Sequence, residues 1–164
     1  MEVRELLEIE EIKRLKYKYM RCVDMKLWDE MAEVFIPEAT AAYGGGRYSY
    51  EGREAIIEWL KKGMGRDSLM TTHSVHQPEI ELEGSDRATG VWKLEDIVVD
   101  VQFDVTINGA AFYHDRYVKR DGRWFIEHTG YQRIFEQIVS RKDTPSLKLT
   151  ASIWTTGGVS EIEA

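Results

Sequence analysis

The sequence predicts an α+β fold in which helices cover one side of an antiparallel sheet. Up to about residue 64 most apolar residues recur every three to four positions, the spacing of amphipathic helices. After residue 70 they alternate with a period of two, the spacing of half-buried strands. A chain of 164 residues, 43% of them hydrophobic, has the size of one domain. Helices that precede strands in this way pack on the sheet as a separate layer.

The first two helices are predicted from their apolar stripes. The first runs from Glu5 to Val23, with charged residues on the positions between its apolar ones. A second, shorter helix runs from Leu27 to Phe35. Pro37 ends it, because a proline disfavours helical geometry in the residue before it. The apolar stripe of the first helix consists of Ile9, Ile12, Leu15, Tyr19 and Val23.

A short strand pair and a third helix are predicted next. Residues 40–43 and 48–50 have strand character and flank the turn residues Gly44 to Gly46. The third helix is predicted from Arg53 to about Met64. Its buried stripe consists of Ile56, Ile57 and Leu60.

Four longer strands complete the predicted domain. The hairpin between the last two is indicated by Asp121-Gly122, since a two-residue turn of this kind needs the positive φ that Asp and Gly tolerate. We assign residues 1–137 to the domain and residues 138–164 to a C-terminal tail, which could serve as a lid or as an oligomer contact. The predicted strands are Met70–Glu83, Ala88–Val101, Ala110–Lys119 and Arg123–Phe135.

Composition narrows the function classes. The net charge of −7 argues against nucleic acid or an anionic membrane surface as a partner, because both are bound through basic patches. Cys22 is the only cysteine, so neither an intramolecular disulfide nor a cysteine-based zinc site can form. The N-terminus lacks the pattern of a secretion signal. We therefore expect a cytoplasmic protein that binds a small molecule or another protein.

Strand alternation predicts that His76 faces the interior of the domain, where it could act as a base. Ile80 and Leu82 define the even-numbered residues of this strand as the inward set, so His76 would point inward and His73 outward. Pro78 weakens the argument, because a proline often marks a bulge at which the alternation shifts. His73-x-x-His76 is not expected to bind a metal, since the two side chains would lie on opposite faces. A structural role for His76 remains the alternative.

Asp24 and Tyr19 belong to the first helix. Asp24 ends that helix, where its charge meets the negative end of the helix dipole, so another role should explain it. It could cap the second helix, or it could orient a histidine and stabilise the imidazolium form, and both uses can coexist. Tyr19 lies on the buried stripe, and a buried hydroxyl needs a hydrogen-bond partner.

Asp96 and Arg133 are the charged residues predicted to face the interior from the later strands. Asp96 alternates with Trp92, Leu94 and Val98, and a buried carboxylate needs a partner because its desolvation is costly. A slipped register or a bulge that returns Asp96 to solvent is the alternative. Arg133 is set among aromatic residues of the last strand. It either lies at an exposed edge or pairs with a buried carboxylate such as Asp96.

Through these residues the chain resembles the SnoaL-like branch of the nuclear transport factor 2-like (cystatin-like) superfamily, in particular the bile-acid 7α-dehydratases. It is also similar to scytalone dehydratase and hexachlorocyclohexane dehydrochlorinase. The resemblance covers roughly residues 5–137. Its motifs are KYKYMRCVD (16–24), TTHSVHQPEI (71–80), GVWKLED (90–96), INGAAFYHDRYVKRDGRW (107–124) and TGYQRI (129–134).

The resemblance implies a cone in which a curved mixed sheet surrounds a deep apolar pocket, closed by the N-terminal helices and assembled as a homotrimer. It implies a cofactor-independent, metal-free dehydratase, a lyase that removes water from a hydrophobic polycyclic hydroxy-enone of the steroid or bile-acid type, free or linked to CoA. An isomerase or cyclase, or a protein that only binds a hydrophobic ligand, are the alternatives. The implied catalytic residues are Tyr19, Asp24, His76, Asp96 and Arg133.

Overall fold

The computed structural model describes residues 2–162 and has the α+β architecture that the sequence predicts. Three helices pack against one curved sheet of six strands in the order β2-β1-β6-β5-β4-β3. Neighbouring strands are antiparallel except β1 and β6, which are parallel, so the sheet is mixed. The elements are α1 (Val3–Asp24), α2 (Trp28–Ala32), α3 (Arg53–Met64), β1 (Phe35–Tyr43), β2 (Tyr48–Glu51), β3 (Leu69–Leu82), β4 (Arg87–Asp100), β5 (Val105–Arg120) and β6 (Arg123–Ser140).

Helix α1 forms where its apolar stripe predicts it and buries that stripe against the sheet. At its start, the Glu5 carboxylate accepts a 2.7 Å hydrogen bond from the backbone N–H of Glu2, which satisfies a free donor of the first turn. Ile12, Tyr19 and Val23 are almost fully buried. None of the helices within residues 2–162 has the length and apolar character needed to span a membrane.

The second helix is shorter than the sequence predicts. It ends at Ala32, and Phe35 already begins β1, so Pro37 lies inside a strand and does not end a helix. The pairing of β1 with β6 is irregular between Phe35 and Thr40, which accommodates a residue that has no N–H to donate. The third helix has the predicted bounds.

The last two strands are longer than predicted. Strand β5 begins at Val105, and β6 continues to Ser140, past the predicted domain boundary at residue 137. The hairpin between them is confirmed, because Asp121 and Gly122 have φ of 51° and 78°, as this turn requires.

A β-bulge divides β3 into two halves. The pairing with β4 shifts register between His76 and Glu79, and Gln77 adopts a left-handed conformation with φ of 49°. Beyond the bulge the even-numbered residues are the more buried ones, as expected from Ile80 and Leu82. Before it, the odd-numbered residues face the interior. The bulge therefore decides which histidine enters the domain.

Candidate functional site

A cavity of about 170 Å³ lies between the sheet, α1 and α3. Apolar and aromatic side chains form most of its wall, and a small set of polar groups converges on it, as in ligand sites generally. Helix α3 closes one side with Trp59 and Met64. The lining residues are Tyr19, Val23, Tyr43, Trp59, Leu60, Gly63, Met64, His73, Leu94, Asp96, Val98, Tyr113, Tyr131 and Arg133.

His73, at the cavity wall, forms a hydrogen-bonded pair with Asp24. The His73 Nδ1 atom lies 2.6 Å from Asp24 Oδ1, and the imidazole is largely buried, with 12% of its surface exposed. Asp24 accepts two further hydrogen bonds, from the Thr71 hydroxyl at 2.8 Å and from the backbone N–H of His73 at 2.9 Å. With Nδ1 donating to the carboxylate, Nε2 is the nitrogen left to act as a base.

The predicted pairing of His76 with Asp24 is wrong. His76 lies on the outer face of β3 with 43% of its side chain exposed, and its Nε2 is 3.7 Å from Glu95 Oε2. The reason is the bulge at Gln77, which reverses the alternation counted back from Ile80 and Leu82. His73, expected to point outward, therefore takes the inward place.

Asp96 and Arg133 form an ion pair in the cavity wall, one of the two arrangements that the sequence allowed. Asp96 is 4% exposed, as the alternation of β4 predicts. Arg133 donates a hydrogen bond to each oxygen of the Asp96 carboxylate, from Nη2 to Oδ2 at 2.9 Å and from Nη1 to Oδ1. Burial alone would lower the pKa of Arg133, but the hydrogen bonds and charge of Asp96 outweigh it and hold that pKa above its ordinary value. Asp96 is the cross-strand partner of His73, so the pair adjoins the imidazole.

Tyrosine hydroxyls supply the remaining polar groups. The hydroxyls of Tyr19 and Tyr43 are 2.9 Å apart, and the ring of Tyr43 stacks on Trp59 with centroids 4.9 Å apart. Burial raises the pKa of Tyr19, Tyr43 and Tyr113. All three therefore stay protonated. Because one hydroxyl of the Tyr19–Tyr43 pair donates to the other, that pair has one hydrogen left to donate to an oxygen atom in the cavity, and Tyr113 has another.

The structure thus brings together most, but not all, of the predicted site. Tyr19, Asp96 and Arg133 line the cavity, and Asp24 reaches it through His73. Within residues 2–162, no group of three or more His, Cys, Asp or Glu side chains is placed to hold a metal ion.

Sequence reasoning missed His73 and three of the tyrosines. Tyr43, Tyr113 and Tyr131 occupy inward positions of β1, β5 and β6, and strand alternation could have found them. The signal for His73 was weaker: only Pro78 pointed to a bulge.

The sequence matches the SnoaL-like domain family over residues 4–130. It is 21% identical over 141 residues to FGR4 of Gibberella zeae, named as a probable cyclase, which covers 79% of this chain and 93% of that protein. A protein provisionally named scytalone dehydratase, from Novosphingobium aromaticivorans, superposes with a TM-score of 0.75 at 22% identity over 81% of this chain and 88% of the other. The hexachlorocyclohexane dehydrochlorinase LinA-type3 of Novosphingobium barchaimii superposes with a TM-score of 0.74 at 18% identity, over 82% and 92%. The two superpositions show a shared fold, and the match to the family description shows that the chain belongs to the SnoaL-like domain family.

Proposed function

We propose that the protein is a cofactor-independent lyase in which His73, oriented by Asp24, removes a proton from a carbon next to a carbonyl group, after which a hydroxyl group leaves. The observation that carries this proposal is the 2.6 Å contact between His73 Nδ1 and Asp24 Oδ1 at the wall of an apolar cavity. An imidazole whose Nδ1 is bound to a carboxylate presents Nε2 as the base, and the carboxylate stabilises the imidazolium that forms.

Asp24 is suited to this role because its position is fixed from three directions. It accepts hydrogen bonds from the imidazole, the backbone N–H of His73 and the hydroxyl of Thr71. A carboxylate held in this way keeps the imidazole in one tautomer and one orientation, so little reorganisation is needed when the proton is transferred.

The other polar groups of the cavity wall suit the oxygen atoms of such a substrate. Tyr19 and Tyr43 are a protonated, hydrogen-bonded pair with one hydrogen free to bind a carbonyl oxygen, on which negative charge develops as the proton leaves. The Asp96–Arg133 pair can hold the leaving hydroxyl beside the imidazole, since Asp96 faces His73 across the two strands. The His73 imidazolium can then return its proton to that hydroxyl, which leaves as water while the C–O bond breaks and the C=C bond forms.

The volume of the cavity indicates the size of the substrate. At about 170 Å³ it is close to cavities of about 150 Å³ that hold benzene, and below the 300 Å³ or more of sites for drug-sized ligands. It therefore favours a substrate of one ring. The polycyclic hydroxy-enone that the family resemblance implies needs a larger cavity than this one.

A cyclase is the second candidate, and the likeness to FGR4 of Gibberella zeae favours it. The same base would form an enolate that attacks within the substrate, and the proton would return to the product. Product mass separates the two reactions, because elimination removes one water and cyclisation by isomerisation removes nothing.

The test is incubation with a panel of β-hydroxy ketones and hydroxy-enones of one to four rings, free and as CoA thioesters. The proposal expects a conjugated product, seen by ultraviolet absorbance, that is lighter by one water, and faster turnover of the one-ring compounds. A product of unchanged mass would replace the lyase by an isomerase or cyclase. Ligand binding without any turnover across the panel would contradict catalysis and favour a binding protein.

We further propose that the chain forms the homotrimer that the family resemblance implies. The outer face of β4, β5 and β6 carries large apolar side chains whose exposure to water is unfavourable. These are Ile97, Phe112, Phe135 and Val139, with exposed fractions of 45%, 39%, 51% and 47%. Apolar patches of this kind mark contact surfaces, and a second copy of the chain would cover them.

A further inference from the structure

Lys16 and Asp115 form an ion pair that is completely enclosed by the protein. Lys16 Nζ lies 2.7 Å from Asp115 Oδ2, and both side chains are 0% exposed. Lys16 belongs to α1, one turn before Tyr19, and Asp115 belongs to β5, two residues after Tyr113. Neither residue lines the cavity, but each is close in sequence to a tyrosine that does.

Asp115 is held by three donors from three different elements. The carboxylate accepts hydrogen bonds at 2.7 Å from the hydroxyls of Tyr117 and Thr129, in addition to its contact with Lys16. Trp92 in turn donates to the Tyr117 hydroxyl at 2.9 Å. Three donors around one carboxylate satisfy its lone pairs and fix its position.

The Lys16 ammonium also faces the ring of Tyr113. Its Nζ lies 3.6 Å from the centroid of that ring and 4.9 Å from the centroid of Tyr19. Tyr113 meets Tyr19 edge-on at 6.4 Å and Tyr131 at 5.4 Å between centroids. A desolvated cation at this distance attracts an aromatic ring and withdraws electron density from it. The ion pair thus acts on a residue of the cavity wall from behind.

We propose that Lys16 and Asp115 are positioning residues: Asp115 fixes the Lys16 ammonium against the ring of Tyr113, and the cation holds and polarises Tyr113 so that its hydroxyl donates a hydrogen bond to the substrate oxygen in the cavity. This inference rests on the proposed function for the identity of that oxygen, the carbonyl of the substrate. It adds the Tyr113 hydroxyl to the one donor that the Tyr19–Tyr43 pair has free.

Stability alone gives little reason for charges at this place. A buried ion pair gains about as much from attraction as it loses by desolvation, and apolar residues of similar volume often serve equally well. Polarising the ring of Tyr113, by contrast, requires a cation. The pair also contributes to the order of the fold, since it ties α1 to β5 and, through Thr129, to β6.

The kinetic test is a double-mutant cycle with Tyr113→Phe, which keeps the ring and removes the hydroxyl. The double variant Lys16→Met/Asp115→Asn removes both charges and keeps the side-chain volumes, so no unpaired charge is left buried. We expect each change to lower kcat by roughly 10- to 100-fold with little effect on KM. Combined with Tyr113→Phe, the double variant should lower kcat no further. Losses that simply multiply would overturn the proposal.

A spectroscopic test does not depend on turnover. In protein with ¹³C-labelled tyrosine, the Tyr113 signals are assigned by their absence in Tyr113→Phe. Lys16→Met/Asp115→Asn should shift the Cζ signal of Tyr113 and speed the flipping of its ring by roughly tenfold or more. The matched control is Glu8→Gln/Lys119→Met, which removes an ion pair between α1 and β5 that lies outside the cavity wall, with a contact of 2.6 Å.

The two tests distinguish failure of the lyase proposal from failure of the positioning role. If no substrate of the panel is turned over, the lyase proposal fails, while the signals of Tyr113 still report on the ion pair. If turnover is found but the Tyr113 signals are unchanged in Lys16→Met/Asp115→Asn, or change equally in the control, the positioning role is wrong and the lyase proposal stands. If the double variant does not fold, Lys16→Arg, which retains the cation, should keep the Tyr113 signals close to those of the parent protein.

Discussion

The pair of His73 and Asp24 depends on a residue that does not touch the cavity. The Thr71 hydroxyl donates to Asp24 Oδ1, the same oxygen that meets His73 Nδ1. Without this hydroxyl the carboxylate can rotate, and the imidazole loses its fixed orientation. Small errors in the position of a catalytic group are costly to the rate.

Thr71→Val should therefore lower kcat by roughly tenfold and leave KM nearly unchanged. The measurement is steady-state kinetics on any substrate that the panel identifies. Thr72→Val is the matched control, because Thr72 is exposed on the opposite face of β3. Equal losses in the two variants would mean that the effect comes from the strand and not from Asp24.

His128 makes the stability of the fold dependent on pH. It belongs to β6, and its Nδ1 is 2.7 Å from the hydroxyl of Thr40 on the neighbouring strand β1. Burial, with help from the charge of Arg116, lowers the pKa of His128 below its ordinary value of 6.5. The folded protein then binds fewer protons than the unfolded chain at mildly acidic pH, so the free energy of unfolding falls as the pH drops through 6.5 towards the folded pKa.

Urea denaturation at pH 7.5 and pH 5.5 measures this dependence. The parent protein should lose more stability between the two values than His128→Asn, which has no group to protonate at this site. Should both proteins lose the same amount, the acid sensitivity would have to come from other residues.

At the scale of the elements, the bulge of β3 is the feature that directs His73 into the cavity. Gln77 carries the left-handed φ of 49°, a conformation that glycine adopts freely and that β-branched residues resist. Gln77→Val should therefore be less stable than Gln77→Gly by about 1–2 kcal/mol in urea denaturation. Glu79→Val is the control, because Glu79 lies two residues further along the same strand without a positive φ, so a valine there should not cause this loss of stability. Similar stabilities for the two Gln77 variants would mean that the strand can reorganise at the bulge.

The same bulge marks the limit of what the sequence can predict. Tyr19, Asp96 and Arg133 lie on regular elements, and hydrophobic periodicity predicts the side of the element on which each one falls. The identity of the histidine depends on one inserted residue, which reverses the alternation without changing the composition of the strand. Pro78 hinted at this irregularity, but a proline alone does not say whether the strand bulges or ends.

The helices and strands themselves were predictable to different degrees. Helix α1 and α3 carry long apolar stripes and were placed within a few residues. Periodicity overestimates the length of α2, because Val34 and Phe35 continue the spacing of its apolar residues by chance, although Val34 lies outside the helix and Phe35 begins β1. The parallel pairing of β1 with β6 joins segments about 90 residues apart, and no local pattern encodes such a contact.

At the scale of the whole molecule, the outer face of the sheet tests the proposed homotrimer. Phe135→Glu with Ile97→Glu introduces charge into the exposed apolar surface, which an assembly would have to bury at high cost. Sedimentation velocity should show a trimer for the parent protein and a monomer for this variant. A parent protein that sediments as a monomer would contradict the assembly, and a variant that stays trimeric would locate the contact elsewhere.

The proposed mechanism requires His73 to be the base, and a comparison of the two histidines of β3 tests this assignment. His73→Ala should lower kcat by roughly 10²- to 10⁴-fold on a substrate that the panel identifies, while circular dichroism shows an intact fold. His76→Ala, on the outer face of the same strand, should keep kcat within about threefold of the parent, as surface positions do. Loss of activity in His76→Ala, with activity retained in His73→Ala, would contradict the assignment of His73 as the base.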